Sequence, residues 1–166
     1  TDLKLLTVFG ESEINEDGSF EIEGSLSHYS FIYVLHKQTE KFVAFAYDLL
    51  EDGVVVNPTT TAFGYMLFLS TLTKQYKIGE LMEILPKSSQ WEYYKTKIRQ
   101  TMKNTPLEIL TNSELLELKN KNTEEVLSEK VAKRENVLSS SLSLGASSRG
   151  KAQASNWHTI PWGHTT

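Results

Sequence analysis

Val54-Val55-Val56-Asn57-Pro58-Thr59-Thr60-Thr61-Ala62-Phe63-Gly64 is the stretch that decides the fold. On its left the chain reads as short strands and turns. On its right it reads as amphipathic helices. Asn57 can accept a hydrogen bond from an early helical N–H, and Pro58 suits the first helical position, where its missing donor is not needed. The spacing therefore predicts a helix from Asn57-Pro58 with Phe63, Met66 and Leu67 on one face. Tyr65, Phe68, Leu69 and Leu72 widen that face. A helix apolar nearly all round is a core helix, so it should pack on the strands. Gly64 would let a neighbour approach closely.

To the left, apolar residues recur at strand spacing. Leu3 to Phe9 forms one run, ended by Gly10, and Glu11 to Asn15 alternates around Ile14. Asn15-Glu16-Asp17-Gly18 is a hairpin signal, because Gly18 takes a positive φ at no steric cost. Phe20 and Ile22 then point one way, and Glu21 and Glu23 the other. Tyr29 to His36 and Phe42 to Leu50 are apolar on both faces, as central strands are. Asp52-Gly53 turns the chain into Val54 to Val56. Six strands on this count predict a small antiparallel β-sandwich or partial barrel. With the helices, the class is α+β.

To the right, Ile78, Leu81, Met82 and Leu85 repeat at helical spacing until Pro86. Ser89 and Glu92 read as a capping box ahead of Trp91, Tyr94, Ile98 and Met102. Thr105-Pro106 repeats the cap-plus-proline start, and Leu115, Leu116 and Leu118 continue the pattern. Asn122 and Glu125 read as a further capping box, with Val126, Leu127, Val131 and Leu138 inward. From Ser139 a Ser-rich stretch runs into Trp157, His158, Trp162 and His164. The expected organisation is a β unit over residues 1–57, a helical unit packed on it over 58–138, and a linker-like tail over 139–166.

The charge is uneven. The net charge of −4 places −8 on residues 1–57, where eleven Asp/Glu face three Lys. An acidic β unit repels phosphate backbones, and no basic stripe with interleaved aromatics appears elsewhere, so nucleic acid is not an expected partner. With no cysteine, disulfides and thiolate metal sites are excluded. The longest apolar run, Ala62 to Leu69, is far too short to span a bilayer. Asp2 and Lys4 ahead of a strand pattern do not read as a signal peptide.

Ile14-Asn15-Glu16-Asp17-Gly18-Ser19-Phe20 resembles the hairpin of the carboxypeptidase regulatory-like domain, a transthyretin-like β-sandwich. The junction is similar to one in large bacterial surface proteins: Pro58, Thr61-Ala62, the apolar Phe63 to Leu72, then Trp91 and Ile98. The resemblance covers residues 3–110. It implies an extracytoplasmic protein, of the cell envelope or secreted, whose sandwich is structural or binding and not catalytic. The tail departs from that pattern.

No catalytic, cofactor or metal residue is nominated. Trp157 and Trp162 could stack on sugar faces and His158 and His164 could ligate a metal, but their spacing matches no helical ligand pair. A linker or the start of a further domain is the plainer reading. Glu11, Glu13, Glu16, Asp17, Glu21 and Glu23 lack the calcium-loop spacing and read as the wet face of a hairpin. Tyr93, Trp157 and Trp162 are the candidate binding surface. The expected function is a non-catalytic structural or interaction module, its partner a protein or a cell-surface polysaccharide. The alternative is a hydrolase, or an accessory domain of one, with a site made by acidic strand loops and His28 or His36.

Overall fold

A computed structural model describes residues 1–22, 30–48 and 53–139. The class is α+β, as expected. Four strands, β1 (Leu3–Thr7), β2 (Gly10–Glu13), β3 (Ser30–His36) and β4 (Phe42–Asp48), form one antiparallel sheet in the order β2-β1-β3-β4. Five helices follow: α1 (Pro58–Leu67), the single turn α2 (Leu72–Gln75), α3 (Ile78–Ile84), α4 (Trp91–Asn104) and α5 (Ser113–Ser139).

Among the described residues the count is four strands rather than about six. The run from Leu3 divides early. Thr7 pairs with Gly10, so Val8 and Phe9 form an exposed turn. Gly10 opens β2 at φ 117°, where a side chain would be strained. The Asn15–Gly18 turn forms as expected. Gly18 has φ 85°, Asn15 donates its N–H to the Ser19 carbonyl at 2.8 Å, and Asp17 Oδ1 accepts from Ser19 N–H at 2.9 Å. Phe20 is buried and Glu21 exposed. Beyond the turn the described residues show a single bridge, Ile14 to Phe20, and no ladder. The expectation for Glu23 lies outside the described residues. Val54 to Val56 are buried without forming a named strand.

Helix α1 begins as its caps predict. Asn57 Oδ1 accepts from Thr60 N–H at 2.8 Å, and Thr60 Oγ1 accepts from Asn57 N–H at 2.8 Å. This reciprocal pair satisfies two donors that helix geometry leaves over. The same turn closes the sheet. Among the described strands β4 is an edge, yet Phe45 N–H donates to Thr61 Oγ1 at 3.2 Å, and the Phe45 carbonyl accepts from Thr60 Oγ1 at 3.0 Å. Gly64 permits the approach, since a Cβ there would meet Phe45 Cβ at 2.5 Å. Phe68 caps the helix and Leu69 takes φ 50°, with its side chain in solvent. A left-handed Leu costs about 1–2 kcal/mol, so α1 stops short of the expected Leu72.

Two capping boxes do not form. Helix α4 starts at Trp91 with no side-chain cap. The Ser89 N–H and hydroxyl instead donate to the Glu125 carboxylate at 3.0 Å. Helix α5 runs unbroken from Ser113, with Asn112 Oδ1 accepting from Leu115 N–H at 3.1 Å. Asn122 therefore sits mid-helix, fully buried. Thr105-Pro106 opens only a single 3-10 turn, Pro106–Glu108. Trp91, Tyr94, Ile98 and Met102 are buried as the spacing predicts. Val126 is buried too, but Val131 and Leu138 are exposed: residues 131–136 lie in solvent on every side of the helix, so no described element covers those turns. Strands and helices share one apolar cluster, from Leu5 through Phe45 and Tyr65 to Ile98 and Val126. No helix among the described residues is long and apolar enough to cross a membrane.

Candidate interaction face

The register sorts the sheet into two unlike faces. Leu5 is opposite Val34, Ile32 opposite Ala46 and Val34 opposite Ala44. These five residues are 0–1% exposed. The other face carries Glu11 and Glu13 on β2, Lys4 and Leu6 on β1, Phe31, Tyr33 and Leu35 on β3, and Phe42, Phe45 and Tyr47 on β4. An irregularity between Val34 and Leu35 brings Phe42 onto the same side as Phe45.

The β3–β4 half of this second face is aromatic. Phe31 and Tyr33 stack at 5.5 Å, Tyr33 and Phe42 at 5.0 Å, and Tyr47 meets Phe31 edge-on at 4.9 Å. Phe68, delivered by the end of α1, sets its ring within 5.5–6.4 Å of Phe31, Tyr33, Phe42 and Phe45. Such offset and edge-on pairs exceed simple area burial by about 0.5–1.5 kcal/mol each. Phe45 is buried, whereas Phe31, Tyr33, Phe42, Tyr47 and Phe68 all keep part of their surface in water. Partial burial pushes the Tyr33 phenol above its ordinary pKa.

The β1–β2 half of the face is charged and paired. Lys4 Nζ reaches Glu11 at 2.8 Å and Glu40 at 2.7 Å, and Lys37 reaches Glu13 at 2.7 Å. The carboxylates hold Lys4 above the usual lysine range, and Lys37 holds Glu13 below the usual carboxylate range. An open cleft of 340 Å³ lies beside them, lined by Glu11, Ser12, Glu13, Asn15 and Glu21. Among the described residues no group of three or more His, Asp or Glu is placed to hold a metal ion.

Of the residues nominated from sequence, Tyr93 is exposed on α4. Its hydroxyl donates to Glu114, which also pairs with Lys97 at 2.8 Å. Those two hydrogen bonds lower the Glu114 pKa, and the Glu114 bond raises that of Tyr93. His36 ends β3 in a turn, its Nδ1 3.1 Å from Thr39 Oγ1. Trp157, Trp162 and His28 lie outside the described residues, as do His158 and His164. The aromatic face has no local signature in the sequence. Its strands read as apolar on both sides, and nothing local distinguishes a side fully covered from one covered in part.

One further polar group borders this face. Lys119 on α5 donates from Nζ to the Phe68 carbonyl at 2.5 Å and lies 5.2 Å from the Tyr65 ring centroid and 6.0 Å from that of Phe68. Burial pushes its pKa down to about 8. Tyr65, on α1, has a buried hydroxyl without a hydrogen-bond partner, and burial lifts its phenol to about 12.

No family model, curated protein or solved structure matches this chain.

Proposed function

We propose that this chain is a non-catalytic interaction module that binds another protein through the aromatic face of its sheet. The observation that carries the reading is the layout of that face. Partly exposed rings of Phe31, Tyr33, Phe42, Tyr47 and Phe68 occupy one half, and the paired charges of Lys4, Lys37, Glu11 and Glu13 border it. Protein interfaces have this anatomy, with an aromatic-rich centre and a polar rim. Contiguous partly exposed apolar surface is otherwise a solubility liability that monomers rarely carry. An extracytoplasmic setting belongs to the proposal and rests on the likeness of Ile14–Phe20 to a surface-protein hairpin.

The test is a photo-crosslinking amino acid placed at Tyr47 in the protein within its own cells, with Tyr93 as the off-face control. The expected result is one discrete protein adduct at position 47, absent at 93 and recovered when the partner is used as bait. Equal labelling at both positions, or an adduct with polysaccharide alone, overturns the protein-partner reading. Fractionation of the same cells checks the setting, and a cytosolic protein overturns that part.

A further inference from the structure

We infer that the aromatic face is held by the chain's own C-terminal tail, with Trp157 and Trp162 as its anchors, until a partner displaces it. The inference rests on the reading of that face as a docking surface and names its resident occupant.

The face leaves apolar surface open. Phe31, Tyr33, Phe42, Tyr47 and Phe68 pack ring against ring, yet each keeps part of its surface in water. Next to Phe68, the Leu69 side chain is 89% exposed on a left-handed backbone. Covering such a patch is favourable in water.

The tail has the matching chemistry. Residues 157–162 place two indoles, Ile160 and Pro161 within one short stretch. Indoles pair offset or edge-on with other rings and are common anchors where interfaces are tightest. The charges are complementary too. Residues 140–166 carry Arg149 and Lys151 and no Asp or Glu, whereas residues 1–57 carry −8. At the border of the face, Glu11, Glu13 and Glu40 share Lys4 and Lys37, and each of the three carboxylates is more than half exposed. Opposite charge of this kind steers and orients a partner.

The tail is also long enough. Helix α5 passes the border of the face, where Lys119 reaches the Phe68 carbonyl. Ser139 lies about 30 Å further along the helix axis. Residues 140–156 can span up to about 55 Å, so Trp157 can return to Phe68 with slack. A tether of this length gives an effective concentration on the order of 1 mM. A contact with a Kd of about 0.1 mM in free solution would then fill the face in roughly nine molecules of ten.

The chain has no cysteine, so disulfide trapping tests the contact cleanly. The full chain receives Leu69→Cys with Thr159→Cys, or Val131→Cys with Thr159→Cys as the control. Val131 is 54% exposed on α5. An undirected tail meets position 131, near its root, more often than position 69. The expected result is the reverse, with an intramolecular 69–159 disulfide forming at least about tenfold faster at any protein concentration. Trp157→Ala with Trp162→Ala should slow it about fivefold or more, and should raise the yield of the partner adduct at Tyr47 about threefold. Faster trapping at 131, or a 69–159 rate indifferent to the two Trp substitutions, overturns the inference. Disulfide-linked dimers in place of the intramolecular bond overturn it in favour of a second copy's tail. An unchanged adduct yield overturns the competition with a partner. The unaltered chain gives an independent reading. Trp91 is 2% exposed, so acrylamide quenching reports on Trp157 and Trp162, and quenching as strong as in a free peptide of residues 153–166 overturns the docking even if the cysteine variants fail to fold. A partner adduct at Tyr47 without the 69–159 disulfide overturns the tail and leaves the face reading standing. The disulfide without any partner adduct, in the chain lacking both Trp side chains as well, supports the tail and overturns the partner reading.

Discussion

Helices α1 and α5 touch, and they hold their places by opposite means. Helix α1 is ten residues long, and eight of them are buried, with no charged residue among its ten. Helix α5 is 27 residues long, and among the described residues it buries only a few positions, all in its first half. A short helix is marginal alone and draws its stability from packing. Helix α1 is therefore fixed by what surrounds it, while α5 leans on a few anchors, among them Leu115, Leu118, Asn122 and Val126. Where they meet, the contact is polar as well as apolar. Lys119 reaches the Phe68 carbonyl, and the Asn122 amide lies 3.9 Å from Met66 Sδ with its Oδ1 unpartnered.

Truncation on the α1 side should produce the largest loss. Met66 is fully buried, and Met66→Ala should cost about 2–5 kcal/mol in chemical denaturation. A loss under 1 kcal/mol would mean that the α1 environment collapses readily, and the contrast with α5 would fail.

Adding atoms to α1 should cost less, but still leave a net loss. Gly64→Ala places a methyl 2.5 Å from Phe45 Cβ, and overpacking of this kind typically costs about 1–3 kcal/mol. The intrinsic helix preference for Ala over Gly works the other way by about 1 kcal/mol. A stabilised Gly64→Ala would show that helix and sheet can separate freely.

The α1–α5 contact should also be visible in the pH dependence of stability. Lys119 has its pKa near 8 in the fold and at about 10.4 in an open chain. Between those values the unfolded chain holds more protons, so stability rises as pH climbs from 8 toward 10. Tyr65 acts with the opposite sign. Its phenol, near 12 in the fold and about 10 when unfolded, makes stability fall above pH 10. Lys119→Met should remove the rise and keep the fall, read from melting temperatures in a buffer series. A rise that survives the substitution assigns the effect to another group.

The smallest effect should come from the far end of α5. Leu138 is 74% exposed, and Leu138→Ala should change stability by less than about 0.5 kcal/mol. A larger loss would reveal a neighbour for those turns, and α5 would then resemble α1.

The same two helices show what local sequence carries. Helix α1 was legible because its signals are adjacent: Asn57 and Pro58 act on the turn that follows them, and the apolar spacing identifies a core element. At Asn122 and Glu125 the same kind of signal misleads. An Asn with a Glu three residues on looks like a cap, yet Asn122 is buried mid-helix and Glu125 serves Ser89, 36 residues away. The alternation around Gly18 gave Phe20 its correct side, but a bridge and a ladder have the same local pattern. The aromatic face needed the place where α1 ends, which the left-handed Leu69 sets and which an apolar run cannot reveal. Lys119 carried no signal at all, since its environment is assembled from α1 and α5.

The hydroxyls of Thr60 and Thr61 on the Phe45 backbone bear on the order in which the chain folds. They join residues only 15 and 16 apart, and β3 and β4 are joined by a still shorter turn, so closing both loops costs little chain entropy. The β1–β2 hairpin is more local still but buries less, so β3, β4 and α1, joined through short loops around the core, form the natural folding nucleus. Thr61→Val should slow refolding in proportion to its destabilisation, with a φ-value above about 0.5. Substitutions in the anchors of α5, which meet α1 across more than fifty residues, should chiefly speed unfolding.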